Sequence, residues 1–162
     1  MNHSIVYSSQ TGNTELLAEA IRERLPRPLY FGAPAARALD DGRIYAGFWT
    51  DRGSCDAASA EFLKTLTDQE VFLFGTAGFG GDPGYFEKIL ASVRENLAPG
   101  VKVIGCFMCQ GKMPMAVRRR YESMPPQAAA RVPMLLENFD RALSHPDRRD
   151  LDALIHALEA CL

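Results

Sequence analysis

The sequence predicts an α/β fold, a doubly wound parallel sheet of five strands with helices on both faces and a helical extension at the C-terminal end. Short apolar runs of strand type alternate with stretches that carry apolar residues at helical spacing. The run at residues 71–74 is continuously apolar, which is typical of a strand covered on both faces of a parallel sheet. The 162 residues, 47% hydrophobic, are expected to form one domain over residues 1–162, with a core of about 1–112 and a helical part of about 113–162.

In the first half of the chain, short strands alternate with connections of unequal length. Strands are predicted at residues 4–7, 29–31 and 44–48, and an amphipathic helix at 14–25 that ends before two prolines. The alanine-rich stretch 34–41 is too short for a full crossover helix. A second helix, capped by Asp56, carries Phe62, Leu63 and Leu66 on its apolar stripe.

The second half contains the last two strands and a run of helices. The strand at 71–74 leads into a glycine-dense loop, residues 75–84, and into a helix that begins after Asp82 and Pro83. The fifth strand covers residues 101–107. Beyond it, helices are predicted at residues 115–123, 127–143 and 151–162. We expect the last of these helices to complete the outer layer of the sheet; the alternative is that they supply a dimer interface.

A polar loop, Ser8-Ser9-Gln10-Thr11-Gly12-Asn13-Thr14, joins the first strand to the first helix. The N-terminus of a helix exposes unpaired backbone N–H groups and the positive end of the helix dipole, so this loop is suited to hold a phosphate. It is rich in hydroxyls and lacks Lys and Arg, which suits the monophosphate of a flavin mononucleotide better than a transferring triphosphate. The alternative is an ordinary polar turn with Thr11 or Thr14 as a helix cap.

Two other phosphate-binding motifs are excluded. A Walker A loop requires G-x-x-x-x-G-K-[ST], and the sequence contains no such string. The dinucleotide fingerprint G-x-G-x-x-G also fails, because the nearest stretch, residues 78–83, ends in proline. The sequence therefore argues against nucleoside triphosphate hydrolysis and against a dinucleotide site of that type.

Charge and composition narrow the class of protein further. A net charge of −2 argues against a nucleic-acid surface. The basic run Arg118-Arg119-Arg120 is expected to be a solvated helix face, with docking to an acidic redox partner as the alternative. No segment approaches the roughly 18 apolar residues of a membrane span and no signal peptide is evident, so no membrane association and a cytoplasmic location are expected. The four cysteines are expected to stay reduced.

Three predicted loops leave the carboxyl ends of strands, where a doubly wound sheet binds its ligand. They are the polar loop, the loop after the third strand with Trp49, and the glycine-dense loop with Phe79. Trp49 and Phe79 are candidates to cover a flat aromatic ligand, although burial of Trp49 in the core is the alternative.

The motif Ser9-x-Thr11-Gly12-x-Thr14 after a first strand resembles the phosphate loop of flavodoxins, and the other two loops agree with that family in position. The resemblance covers about residues 3–109. It implies a flavodoxin-like fold with strand order 2-1-3-4-5 and FMN at the switch point. It also implies a set of cofactor-binding residues, namely Ser9, Gln10, Thr11, Gly12, Asn13, Thr14, Phe48, Trp49, Thr50, Asp51, Arg52, Gly53, Thr76, Ala77, Gly78, Phe79, Gly80 and Gly81.

The chain departs from the usual flavodoxin pattern in its glycine-rich third loop, its short second crossover and the extension after the fifth strand. The stretches 47–50 and 109–112, Gly-Phe-Trp-Thr and Cys-Gln-Gly-Lys, resemble a compact flavodoxin subgroup, some of whose members accompany bacterial bilirubin reductases. The resemblance implies an FMN-binding electron-transfer protein that shuttles electrons to a partner reductase. A monomer is expected, and a homodimer is left open.

Three residues are expected to tune the flavin. Gly53 is the candidate for a peptide that rotates beside the flavin N5. A cation near N1 would raise the potential and favour two-electron chemistry, and Arg52 and Lys112 are the candidates. We expect both to face water, which predicts a low-potential carrier of single electrons.

Two alternative functions are considered. One is a small FMN-dependent NAD(P)H oxidoreductase of quinone type, although no dedicated nicotinamide site is evident. The other is a thiol–disulfide protein that uses Cys106 and Cys109; it is disfavoured because residues three apart in a strand point to opposite faces. No catalytic residue and no metal ligand is assigned.

Overall fold

Six β-strands form the sheet in this computed structural model, which describes residues 2–40 and 42–162. They are β1 (His3–Tyr7), β2 (Tyr30–Gly32), β3 (Arg43–Asp51), β4 (Ser54–Cys55), β5 (Glu70–Ala77) and β6 (Lys102–Gln110). The parallel strands follow the order β2-β1-β3-β5-β6. This confirms the predicted order 2-1-3-4-5, because β4 stands outside this path and pairs antiparallel with the end of β3.

Helices cover both faces of the sheet, as a doubly wound fold requires. They are α1 (Asn13–Arg24), α2 (Ala57–Lys64), α3 (Pro83–Arg94), α4 (Met115–Glu122), α5 (Val132–Ala142) and α6 (Arg148–Glu159), with short 3-10 turns at Ala36–Asp40 and Pro126–Arg131. The apolar residues of α1 and α6 pack in one core cluster, and those of α2 and α3 pack in the other. Among the described residues, no helix has the length and apolar character needed to cross a membrane.

The interior strand β5, which lies between β3 and β6, divides its side chains between the two clusters. Val71 and Leu73 pack with the cluster of α2 and α3, whereas Phe72 and Phe74 pack with the cluster of α1 and α6. All four side chains are 0% exposed. Successive residues of a strand point to opposite faces, so a continuously apolar run is what a doubly covered strand needs.

A two-residue hairpin turn replaces the loop that was predicted after the third strand. β3 continues to Asp51, and the turn at Arg52 and Gly53 leads into β4. Both turn residues have positive φ, 52° and 81°, the conformation of a type I′ hairpin. Hydrogen bonds between Trp49 and Asp56, from the Asp56 N–H to the Trp49 carbonyl and from the Trp49 N–H to the Asp56 carboxylate, hold the base of the hairpin.

Helix α6 belongs to the layer that covers the sheet. Its Leu154 and Leu158 are 0% exposed and pack in the same cluster as Ile5 and Leu17. It begins at Arg148, three residues before the predicted start, because Asp147 caps it. The Asp147 carboxylate accepts from the Asp150 N–H, and the Asp150 carboxylate accepts from the Asp147 N–H, which together form a capping box.

Helices α4 and α5 form a separate small cluster around Tyr121, Leu135 and Phe139. A single helix over residues 127–143 was predicted, but α5 begins only at Val132. The reason is Pro133, which lacks an N–H and fits only the first turn of a helix. The basic run at residues 118–120 is only partly a solvated face. Arg118 pairs with Asp140, and its guanidinium carbon lies 5.4 Å from the ring centroid of Phe139. Arg119 and Arg120 are exposed to solvent.

We expect the Asp147→Asn variant to lose part of the stability that the wild type has above acidic pH. Hydrogen bonding from the backbone N–H of Asp150 lowers the pKa of the Asp147 carboxyl below its ordinary value of 3.8, and nearby His145 lowers it further. A carboxylate with a lowered pKa stabilises the folded state above its ordinary pKa, and this contribution is lost as the pH falls through the lowered value.

Urea denaturation of both proteins over a range of pH measures this effect. Asparagine is an equally good cap, so the variant isolates the charge. The stability difference between wild type and variant is expected to shrink as the pH falls below 3.8. A difference that stays constant down to the most acidic condition would show that the charge plays no part.

Candidate functional site

A crevice lies at the carboxyl ends of β1, β3, β5 and β6, and is named here the strand-edge crevice. Its lining consists of Ser9, Gln10, Thr11, Asn13, Thr14, Trp49, Thr50, Thr76, Ala77, Gly78, Gly111, Lys112, Met113 and Pro114. This is the edge where a doubly wound sheet binds its ligand. All three predicted loops contribute to it, and the loop after β6 adds a fourth.

The polar loop before α1 presents backbone donors to the crevice. Ser9 shapes it, because its Oγ accepts hydrogen bonds from the N–H groups of Gly12, at 3.2 Å, and Glu15, at 3.3 Å. Gly12 precedes the helix with φ at 89° and, having no side chain, makes no cap hydrogen bond of its own. Within the described residues, the N–H groups of residues 10, 11, 13 and 14 donate no hydrogen bond. Neither Thr11 nor Thr14 acts as a helix cap, so the ordinary-turn alternative loses its support.

Two side chains of this loop connect it to other parts of the site. The hydroxyl of Thr14 donates to the Phe48 carbonyl oxygen at 3.0 Å and lies 3.2 Å from the Thr76 hydroxyl. The Asn13 amide donates to the Lys112 carbonyl oxygen at 2.8 Å. Both residues were predicted to bind phosphate, but these side-chain donors hold the polar loop against the ends of β3, β5 and β6.

The second predicted loop contributes two of its six predicted residues. Trp49 and Thr50 line the crevice. Phe48 does not, because its side chain is 1% exposed and packs in the core cluster of α2 and α3. Residues 51–53 do not line it either, because they form the tip of the β3–β4 hairpin and are exposed to solvent.

The third predicted loop contributes its first half. Thr76, Ala77 and Gly78 line the crevice, whereas residues 79–81 lie outside its lining. The side chain of Phe79 is 38% exposed, so it does not lie in the core. The expectation that Phe79 covers a ligand stays a prediction.

The loop after β6 was missed as part of the lining. Gly111 fits there because a Cβ on it would lie 2.5 Å from the Asn13 amide nitrogen. Its N–H donates to the Ala77 carbonyl oxygen at 2.9 Å, and the next N–H, of Lys112, donates to the His145 carbonyl oxygen at 2.9 Å. A signal existed in the sequence, since the carboxyl end of the fifth parallel strand must lie at the same edge as the others.

The two cysteines of the thiol hypothesis lie within β6 and pack on opposite faces of the sheet. Cys106 packs against the cluster of α2 and α3, and Cys109 lies in the cluster of α1 and α6. Both are free thiols. Burial raises the pKa of the Cys109 thiol strongly, and the negative charges of Asp150 and Asp147 raise it further. This environment opposes formation of the thiolate that disulfide exchange needs.

One group of described side chains has the spacing of metal ligands. Ligand atoms of His145, Asp147 and Asp150 lie within 4.8 Å of one another. The two carboxylates already form the capping box of α6, and the Asp150 oxygen lies 2.6 Å from the His145 Nδ1. These contacts give the group a structural role.

The strand-edge crevice fits FMN in three respects. Free N–H groups at the start of α1 suit a phosphate, and Trp49 offers an aromatic side chain to a flat ring. In addition, two buried polar atoms in the lining, Asn13 Oδ1 and Thr50 Oγ1, have no hydrogen-bond partner among the described residues. Buried polar atoms are rarely left unpaired, so these two point to a ligand with complementary groups.

Comparison with known proteins identifies the family of the chain. Residues 4–159 match the flavodoxin domain family. The chain is 41% identical over 180 residues to a flavodoxin-like domain-containing protein BilS of Clostridium symbiosum, covering 98% of this chain and 94% of the relative. A second BilS protein, of Clostridioides difficile, is 26% identical over 160 residues, and the aligned region covers 93% of this chain and 90% of that protein.

Solved structures agree on the fold. A flavoprotein from Lactobacillus acidophilus, determined in complex with FMN, superposes with a TM-score of 0.53 at 17% identity and covers 66% of this chain and 92% of its own. The predicted resemblance is thereby confirmed. The chain belongs to the flavodoxin family, alongside the BilS proteins, and FMN is the cofactor that this membership supports.

Proposed function

We propose that this chain binds FMN in the strand-edge crevice and carries electrons to a partner reductase. The proposal is supported chiefly by the composition of the crevice. Its described lining contains no Asp, Glu, His or Cys, and Lys112 is its one charged side chain. Enzymes that move protons during turnover place an acid or a base beside the reacting atoms. A crevice whose one charged side chain, Lys112, is exposed to solvent favours transfer of electrons alone.

The residues of the crevice would bind and orient the cofactor. FMN, when bound, supplies the redox chemistry by accepting and releasing electrons. The free N–H groups of residues 10, 11, 13 and 14 and the Thr11 hydroxyl would hold the phosphate. Trp49 would cover the ring, and the unpaired oxygens of Asn13 and Thr50 would accept hydrogen bonds from its polar groups. Thr76, Ala77 and Gly78 would form one wall of the crevice.

The positions of the two candidate cations support a low potential. Arg52 lies in the exposed hairpin turn outside the lining of the crevice, and Lys112 lies in the lining but is exposed to solvent. Water and salt screen an exposed charge, so neither cation would strongly stabilise negative charge that develops on reduction. Transfer of single electrons at low potential is therefore the expected behaviour.

The partner is proposed from the resemblance to a flavodoxin subgroup that accompanies bacterial bilirubin reductases. A reductase of this class is the first acceptor to test. We take the chain as a single domain over residues 1–162 that binds the cofactor as a monomer, with a homodimer as the alternative.

Stepwise anaerobic reduction of the FMN-loaded protein, followed by absorption and with free FMN as the control, tests this proposal. We expect two resolved one-electron steps. The fully reduced protein should then be reoxidised when it is mixed with a bilirubin reductase and bilirubin. Rapid bleaching by NADPH without any partner would contradict the proposal in favour of a quinone-type oxidoreductase. A protein that rejects FMN but forms a Cys106–Cys109 bridge would overturn it in favour of a thiol–disulfide protein.

A further inference from the structure

The third loop of the strand-edge crevice is held from outside by two amide side chains. The Gly78 carbonyl oxygen accepts a hydrogen bond from Gln110 Nε2 at 2.9 Å and another from Asn138 Nδ2 at 3.0 Å. Gln110 is the last residue of β6, and Asn138 lies on α5. The helical segment between β6 and α6 is therefore tied directly to a wall of the crevice.

These contacts form a closed triangle. Gln110 Nε2 also donates to Asn138 Oδ1 at 3.0 Å, so each of the three amide groups bonds to the other two. A carbonyl oxygen has two lone pairs, and both of those on Gly78 are used. Because a peptide unit is planar, fixing this oxygen also fixes the orientation of the peptide between Gly78 and Phe79.

Close packing reinforces the triangle. A Cβ on Gly78 would lie 2.5 Å from the Met113 sulfur, and a Cβ on Gly80 would lie 2.9 Å from the Gln110 Cβ. The two glycines allow the loop to lie against Met113 and Gln110. Gln110 itself is 7% exposed, which leaves its amide little freedom to form other contacts.

We propose that Asn138 is a positioning residue, which acts through Gly78 to hold residues 76–78 in their cofactor-binding conformation before FMN arrives. This inference rests on the proposed FMN site. A loop that is ordered in the apoprotein loses less conformational entropy on binding, so the same contacts give a higher affinity. Helix α5, part of the extension that departs from the usual flavodoxin pattern, thereby gains a role in the site.

Variants of Asn138 test the inference, with dissociation constants for both FMN and riboflavin as the main measurement. Asn138→Ala removes both amide contacts, and Asn138→Asp keeps the shape and the acceptor but loses the donor to Gly78. Each is expected to weaken the binding of both flavins by a similar factor of about tenfold, because residues 76–78 would face the ring and the phosphate would lie at the polar loop. The nearby, exposed Glu137→Gln variant is the matched control and should bind like the wild type.

Two further measurements separate positioning from general loss of structure. Amide hydrogen exchange of the apoproteins should show faster exchange at residues 78–80 in both Asn138 variants, with unchanged protection in β1 and at residues 70–76 of β5. The visible circular dichroism of bound riboflavin should also change, because it reports the surroundings of the ring.

Three outcomes would overturn the inference. The first is wild-type affinity in Asn138→Ala. The second is wild-type affinity in Asn138→Asp together with weaker binding in Asn138→Ala, and the third is unchanged exchange at residues 78–80. The second outcome would assign the effect to packing. Failure of the proposed function is distinct, since the wild type itself would then bind neither flavin.

Discussion

Replacing Gly75 with alanine is expected to lower the free energy of unfolding by about 1–3 kcal/mol, which corresponds to a fall in Tm of roughly 2–4 °C per kcal/mol. A Cβ at this position would lie 2.3, 2.4 and 2.7 Å from three ring atoms of Phe48. The Phe48 ring is 1% exposed in the centre of the core, so it cannot move aside into solvent. Overpacking of this kind forces rings off their rotamers or shifts the strands.

The clash reflects an arrangement in which β3 and β5 alternate glycine with phenylalanine. Phe48 is the register partner of Gly75, and on the other face Gly47 is the register partner of Phe74. A Cβ on Gly47 would lie 2.4 Å from two ring atoms of Phe74. Each glycine thus leaves room for the ring on the neighbouring strand, directly behind the strand-edge crevice.

Urea unfolding of a double-mutant cycle measures this coupling. In a Phe48→Leu background the cost of Gly75→Ala should be smaller than in the wild type, because the smaller side chain leaves space for the new methyl group. Gly42→Ala is the matched control, since nothing lies within 4 Å of a Cβ at that position. Equal costs of Gly75→Ala in the two backgrounds, or a cost no larger than that of the control, would show that steric conflict with Phe48 is not the cause.

Most of the sheet could be predicted because its strands are covered on both faces. The apolar run in β5 and the proline and glycine boundaries of the helices carry their own signals in the sequence. The β3–β4 hairpin carried none, because a type I′ turn favours Asn or Gly first and this chain places Arg52 there. The start of α6 was also missed, because its capping box uses Asp150 where Glu or Gln is usual.

The site was predictable where a motif lies next to a helix start, and less so elsewhere. The polar loop could be placed because strand, loop and helix are consecutive in sequence. Phe48 was assigned to the site from its position beside Trp49, yet strand alternation sends it into the core. The contribution of residues 111–114 depends on packing against Asn13 and Ala77, contacts between segments that are far apart in sequence.

Replacing Thr11 with alanine is expected to weaken FMN binding by about tenfold to a hundredfold and to leave riboflavin binding nearly unchanged. The Thr11 hydroxyl lines the crevice and makes no hydrogen bond within the described residues, so it is free to donate to a phosphate. A hydrogen bond to a charged group contributes about 1.5–3 kcal/mol, and each 1.4 kcal/mol is a factor of ten. Riboflavin lacks the phosphate and serves as the internal control.

Thr14→Ala is expected to behave differently, although the sequence assigned both threonines to the phosphate. The Thr14 hydroxyl already donates to the Phe48 carbonyl oxygen and is 1% exposed. Loss of this hydroxyl should loosen the contact between the polar loop and the end of β3. The affinities for FMN and for riboflavin should therefore fall by similar factors, and the free energy of unfolding should also fall. Calorimetric titration of both variants with both flavins distinguishes the two roles. If Thr11→Ala weakened the binding of riboflavin as much as that of FMN, the polar loop would contact the ring, and the phosphate would have to bind elsewhere.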